Sequence, residues 1–192
     1  EVNILASYNQ KSGNLKLVSI PRDSYVSIVN RQQNVIKKDK LSHAYVYGSG
    51  PEAVMSTVSS LLQVPVDYYA VVETEGFVDI IDSLGGIDYE FGGKNHLNGE
   101  NVLALLREGK SRSDDEIGRE QAQVNVLQAV IRKLKDHETD ARIQLASEHI
   151  ESNLAFQDVM AIIEDANVNE IETLYLSEGM TEELIDGVYY GK

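Results

Sequence analysis

The chain opens on two runs that read as strands, Val2–Tyr8 and Leu15–Ile20 (LKLVSI), with Lys11-Ser12-Gly13-Asn14 as a hairpin turn between them. Pro21 ends the second run, because proline cannot donate to a central ladder. Tyr25–Val29 predicts a further short extended piece, and the polar stretch Arg31–Lys40 a loop. Val54, Val58, Leu61 and Leu62 recur at helical spacing over Glu52–Leu62, with Pro51 where such a helix can start. Val64-Pro65-Val66 breaks that pattern, and Tyr68–Glu73 predicts a strand. Thr74–Leu84 predicts a helix with Phe77, Ile80, Ile81 and Leu84 on one face and Gly85-Gly86 as its stop. A short strand over Ile87–Phe91, a helix over Asn98–Leu106 and a charged loop over Arg107–Gly118 follow. The longest helical pattern is Gly118–Asp136, carried by Val124, Leu127, Val130, Ile131 and Leu134. Leu154–Asn167 predicts another helix and Ile171–Leu176 a last strand. Strands and helices alternate irregularly, which predicts an α/β fold with a central mixed sheet.

A length of 192 residues suits a single domain with a full-sized core over 1–192. With 42% hydrophobic and 25% charged residues the balance is globular rather than disordered. No apolar run approaches the roughly 18 residues needed to cross a bilayer, and no stretch of these residues is expected to be a signal peptide. The first residue is Glu1, inside a strand-like pattern. The expectation is therefore a piece of a longer protein, with any membrane anchor upstream. The absence of cysteine excludes disulfides, thiolate catalysis and cysteine zinc sites.

The net charge of -14 argues against a nucleic-acid binder, which presents a basic face. The charge is uneven, however. Lys11, Lys16, Arg22, Arg31, Lys37, Lys38 and Lys40 make the first stretch locally basic, whereas only Arg142 and Lys192 oppose the acids from Asp136 onward. Such asymmetry allows an anion site on an acidic protein.

Candidate chemistry lies where basic groups gather: Arg22 after the second strand, Lys37 to Lys40, and Arg107, Lys110, Arg112 and Arg119 around a late loop and helix start. Arginine offers phosphate a rigid fork of donors, and a helix start near Gly118 adds backbone N–H groups. Acids stand beside these bases: Glu1, Asp23, Asp114, Asp115 and Glu116. Magnesium takes one or two carboxylates and completes its shell with phosphate oxygens and water, so the mixture suits phosphoryl transfer. The same residues also fit solubilising surface charge and exposed ion pairs of little energetic weight. The four histidines show no metal-ligand spacing, and His43, in Leu-Ser-His-Ala-Tyr, is expected to be a hydrogen-bonded structural residue. No P-loop, GxGxxG or GxSxG motif occurs.

Several segments, in order, resemble one family. Ser19-Ile20-Pro21-Arg22-Asp23-Ser24-Tyr25-Val26 resembles the Ser-Ile-Pro-Arg-Asp-Thr-Tyr-Val motif of LytR-CpsA-Psr proteins, and Lys40-Leu41-Ser42-His43-Ala44-Tyr45 their Lys-Ile-Asn-His-Ala-Tyr motif. Asp67-Tyr68-Tyr69, Phe77, Asp82 and Gly85-Gly86 fit the strand-helix unit that follows. Leu97-Asn98-Gly99 leading to Leu105-Leu106-Arg107, Gly118-Arg119 with Gln123, and Ser152-Asn153-Leu154 are similar to later family segments. The resemblance implies a three-layer α/β/α fold with a central mixed sheet. It implies magnesium-assisted transfer, with manganese as the alternative ion, of an anionic glycan such as wall teichoic acid or capsular polysaccharide. The donor would be a polyprenyl pyrophosphate carrier in an apolar channel and the acceptor peptidoglycan, on the outer face of the cytoplasmic membrane, with a transmembrane helix as anchor.

Carried over by residue, Arg22 would bind the pyrophosphate, with Asp23 orienting it and standing as the candidate general base. Arg107 and Arg119 would neutralise charge building on the phosphates. Gln123 would donate a hydrogen bond, and Lys40, Lys110 and Arg112 would assist substrate binding. Glu1, Asp115 and Glu116 are the implied metal ligands. The chain departs from the family pattern: Glu1 stands for an aspartate, Gly109 for the second arginine of an Arg-x-Arg pair and Ala122 for the arginine before the glutamine, and the segment between Phe91 and Leu97 is shorter than the family's. These departures motivate an alternative, a member that binds polyprenyl phosphate or wall glycan without turnover. Transcriptional regulation, the role once attached to the family's name, is opposed by the acidic charge and the lack of a basic recognition helix.

Overall fold

The LKLVSI run forms β2 (Asn14–Ile20), in which Leu15 and Leu17 alternate into the core between exposed Asn14 and Lys16. It lies between β1 (Asn3–Asn9) and the last strand of this sheet, β9 (Glu172–Tyr175). The short turn after Asn9, in which Gly13 N–H donates to the Asn9 carbonyl at 2.8 Å, joins β1 to β2 as a hairpin. β9 runs parallel to β2, with Lys16 opposite Glu172 and ion-paired to it at 2.6 Å. The sheet is therefore mixed and the chain α/β, as the alternation of elements implied.

This architecture is that of a computed structural model, which describes residues 2–48, 50–90, 94–108, 116–136, 147–178, 180–185 and 188–191. The chain falls into two compact units, one of Glu1–Asn3, Ile20–Tyr69 and Leu176–Lys192, the other of Ile4–Ser19 and Ala70–Tyr175.

In the first unit β3 (Tyr25–Val29) pairs antiparallel with β4 (Val35–Lys40), and a 3-10 turn at Leu41–His43 leads into the single-turn helix α1 (Ala44–Tyr47). The stretch expected to be a loop is thus partly a strand. Val35 to Lys38 are all exposed, so β4 buries no alternate face that could have marked it in the sequence. Helix α2 (Pro51–Leu62) starts with Pro51 in its first turn and lays Ala53, Ser56, Thr57 and Val58 against β3, where Val26, Ile28 and Val29 are buried. A β10 (Glu182–Ile185) and β11 (Val188–Gly191) hairpin completes this unit.

In the second unit β5 (Ala70–Val72) pairs with β8 (Ile150–Ser152), and β6 (Ile87–Glu90) with β7 (Lys94–Leu97), both antiparallel. Helices α3 (Thr74–Ser83), α4 (Gly99–Glu108), α5 (Glu116–Asp136) and α6 (Phe156–Asp165) account for the predicted helices within a few residues. Helix α5 serves two apolar clusters. Val124 and Ile131 join Leu15, Leu17, Ile80 and Met160, while Val126 joins Ile81, Ile87 and Val102. No helix among the described residues is long and apolar enough to cross a membrane.

Candidate functional site

Where β2 ends, Pro21 opens a tight turn. Ser24 closes it, donating both its backbone N–H (3.1 Å) and its hydroxyl (2.7 Å) to the Pro21 carbonyl. The two residues inside the turn, Arg22 and Asp23, keep their side chains at the surface. The segment after β4 clamps the same turn from outside: Leu41 N–H bonds the Ser24 carbonyl and Ser42 N–H the Arg22 carbonyl, each at 2.9 Å. Gly191 N–H holds the Asp23 carbonyl at 3.1 Å. The two motif segments recognised in the sequence are thereby brought together.

Their side chains form a small charged cluster. Lys40 Nζ lies 2.6 Å from Asp23 Oδ1 and Arg22 Nε 3.4 Å from Oδ2. Burial pushes the Asp23 carboxyl up, but Lys40 first and Arg22 second outweigh it, and the group is held below the usual carboxylate range. A carboxylate capped by a cation on each oxygen is a weak base, so its chemistry fits orientation of Arg22 better than proton abstraction. Arg22 is half exposed and, among the described residues, only its Nε–H is engaged, leaving both terminal NH2 groups available to an anion.

Beside this cluster lies a buried carboxylate that sequence reasoning missed. Asp39 is 8% exposed in its side chain. It receives Lys37 Nζ at 2.8 Å, His43 Nδ1 at 3.1 Å, the Lys40 backbone N–H at 2.9 Å and the Tyr190 hydroxyl at 3.3 Å. Burial would raise its pKa, yet the bonds from Lys37 first, then the Lys40 backbone N–H and His43, hold it well below the carboxylate range. The hydrogen bond to Asp39, then that to Tyr47, pushes the Lys37 ammonium up correspondingly. Burial and the Asp39 charge push the Tyr190 phenol up, which keeps it a donor. A signal was present: Lys37 and Asp39 stand two apart, on one face of a strand, once Val35–Lys40 is known to be a strand.

The other predicted residues belong to the second unit. Arg107 is exposed in the last turn of α4, where the helix end favours a cation. Arg119 and Gln123, one turn apart on α5, are both half-buried. Between them Glu120 is buried and accepts the Ser19 hydroxyl at 3.1 Å. The Leu97-Asn98-Gly99 motif has a physical basis: Asn98 Oδ1 caps α4 by accepting the Asn101 N–H at 2.9 Å, and a Cβ at Gly99 would stand 2.5 Å from the Val78 carbonyl oxygen. Glu1, Lys110, Arg112 and Asp115 lie outside the described residues, as does Asp114; Glu116 opens α5, and its side chain is not described. Among the described residues no group of three or more His, Asp or Glu side chains could hold a metal ion.

Comparison with known proteins bears on what this surface does. The LytR_cpsA_psr family model matches residues 2–91 and 89–192. A polyisoprenyl-teichoic acid–peptidoglycan teichoic acid transferase TagU from Bacillus mycoides (strain KBAB4) is 39% identical over 142 residues, 68% of this chain and 45% of its own length. TagU of Bacillus licheniformis is 31% identical over 98% of this chain and 65% of its own. This chain thus covers less than two thirds of either relative. The solved structure of TagT bound to LI-WTA superimposes with a TM-score of 0.82 at 27% identity, over 100% of this chain and 78% of that one.

Proposed function

Because the chain belongs to the LytR_cpsA_psr family, we propose that it is the catalytic part of a glycopolymer transferase. It moves a phosphate-linked anionic glycan, teichoic acid or capsular polysaccharide, from polyprenyl pyrophosphate to peptidoglycan. The observation that carries this reading is the Pro21–Ser24 turn, which offers the free end of the Arg22 guanidinium while Asp23 and Lys40 fix its inner edge. Arg22 would fork onto two phosphate oxygens, the geometry for which guanidinium is suited. The proposed part of Arg107 and Arg119 is to neutralise charge as the phosphoryl group transfers, and of Gln123 to donate a hydrogen bond. Lys40, Lys110 and Arg112 add to the substrate's binding field.

Magnesium, or manganese, is the proposed cofactor, with Glu1, Asp115 and Glu116 as its carboxylates; when bound it would offset phosphate charge. The described residues supply no such cluster by themselves. We place the protein at the cell envelope, tethered by a segment outside these residues.

Thermal unfolding with a polyprenyl pyrophosphate tests the reading. A ligand that binds only the folded state adds about 2.7 kcal/mol at a hundredfold excess over its Kd. Arg22→Ala should lose roughly 1.5–3 kcal/mol of binding, as for a charged hydrogen bond, whereas Arg31→Ala, whose guanidinium is paired with exposed Glu52, should lose little. Equal losses at both positions would remove Arg22 from the site. Repeating the titration with added magnesium asks whether the ion joins the complex. Gly109 and Ala122 favour a second reading, binding without turnover. It predicts the same shift but no transfer of glycan to peptidoglycan.

A further inference from the structure

Transfer to a hydroxyl acceptor requires a group that takes the acceptor's proton, and Asp23, ion-paired through both oxygens, is poorly suited to that. A better-disposed base lies one residue beyond the Ser42 N–H that bonds the Arg22 carbonyl. His43 Nδ1 is 3.1 Å from Asp39 Oδ1. A bond from Nδ1–H to a carboxylate fixes the tautomer and leaves the lone pair on Nε2. The ring is held on a second side by Tyr47, edge-on at 5.9 Å between centroids and 88° between planes. Asp39 cannot swing away, because Lys37, the Lys40 backbone N–H and Tyr190 also hold it. The His43 side chain is nevertheless 48% exposed, and among the described residues Nε2 has no partner. A nitrogen base oriented by a buried carboxylate and open on its far side is the arrangement of a general base with its orienting group.

We propose that His43 is the general base of the transfer and Asp39 its positioning residue; this rests on the transferase reading above. Nε2 takes the proton of a peptidoglycan hydroxyl as that oxygen bonds to the glycan-bearing phosphorus. The bond from this phosphorus to the bridging oxygen breaks, and its electron pair leaves on polyprenyl monophosphate. The imidazolium is steadied by Asp39 and returns the proton to water. The titratable and charged groups facing His43 are Asp39 and Lys37 from β4, Tyr47 from α1 and, through Asp39, Tyr190 from β11.

The test measures transfer of a labelled glycan from polyprenyl pyrophosphate to peptidoglycan across pH, for the native chain, His43→Ala, His43→Gln and Asp39→Asn. His43→Ala should lose on the order of 100-fold or more in kcat, the range of general-base catalysis, with KM little changed. Its acid limb should vanish, and added imidazole should restore part of the rate. His43→Gln, which keeps a polar side chain of similar reach, should be as slow and melt where the native chain does. Asp39→Asn should be slower than native and keep an acid limb. Native turnover with a His43→Ala variant that keeps its rate and acid limb overturns the role of His43 and leaves the transferase reading standing. A loss that imidazole does not relieve, with an unchanged pH profile, overturns it too. No turnover by the native chain overturns both.

Discussion

His96 shows how much a single residue can be decided by its acceptors. Its Nδ1 lies 2.9 Å from Asp88 Oδ1 and its Nε2 2.8 Å from the Gly85 carbonyl oxygen. Both partners are acceptors, so the imidazolium form, with hydrogen on both ring nitrogens, is the one that satisfies both. Asp88 first and Gly85 second push its pKa up, against slight burial and the charge of Lys133. A raised pKa means that the folded chain binds this proton more tightly than the unfolded chain. The resulting stability is complete below about pH 6.5, the ordinary histidine value, and is lost as pH rises through the folded value. Urea midpoints of the native chain and Asp88→Asn should accordingly differ most in acid and converge in alkali; a gap that widens with pH would reverse the assignment. Gly86 makes the arrangement possible. At φ +87° it sits where side chains are strained, and a Cβ there would stand 2.6 Å from His96 Nε2. The glycine pair was legible as a helix stop, but its second use, giving the histidine room, was not, because His96 lies on a strand that the sequence did not mark.

Among the elements, legibility followed burial. Helices α3 and α5 each commit one face to a core, and the period of that face was plain in Ile80 and Ile81 and in Val124 and Ile131; α2 instead turns Ala53, Ser56, Thr57 and Val58 inward and leaves Leu61, expected on its apolar face, exposed. β4 and β7 are short and largely polar, and β10 and β11 are four residues each, too short for an alternation of apolar positions to be read. The charged cluster shows the same division. Arg22, Asp23 and Lys40 stood out as motif residues, whereas the partnership of Asp39 with Lys37, His43 and Tyr190 is made by the β3–β4 ladder and by a strand near the other end of the chain. The ladder itself has a weak point with a measurable remedy. Register shifts between Ile28 and Val29, and the Val29 N–H donates instead to the buried Thr57 hydroxyl of α2 at 3.1 Å. Thr57→Val keeps the shape and removes the acceptor, leaving a buried N–H unpaired at a cost of about 1–3 kcal/mol. Chemical denaturation should show that loss with the slope unchanged. A loss below a few tenths would mean that Val29 finds another acceptor.

At the scale of the whole molecule the path of the chain matters more than any one contact. The two compact units are not consecutive stretches: the boundary is crossed between Asn3 and Ile4, Ser19 and Ile20, Tyr69 and Ala70, and Tyr175 and Leu176. The second crossing falls inside β2, one strand that gives Leu15 and Leu17 to one unit and Ile20 to the other. Neither unit is one continuous segment, and β2 gives its last residue to a unit other than that of its first six. We therefore propose that residues 1–192 unfold as one domain. With about 0.7 kcal/mol per residue near 60 °C, a chain of 192 residues should take up on the order of 130 kcal/mol in a single calorimetric peak. The van't Hoff enthalpy from the peak's width should equal the calorimetric value. Hydrogen exchange gives an independent reading, because the most protected amides of α2 and β3 should open with the same free energy as those of β2 and α5. Two opening energies, together with a van't Hoff enthalpy well under the calorimetric one, would divide the chain into two folding units and make Ile20 the end of one of them.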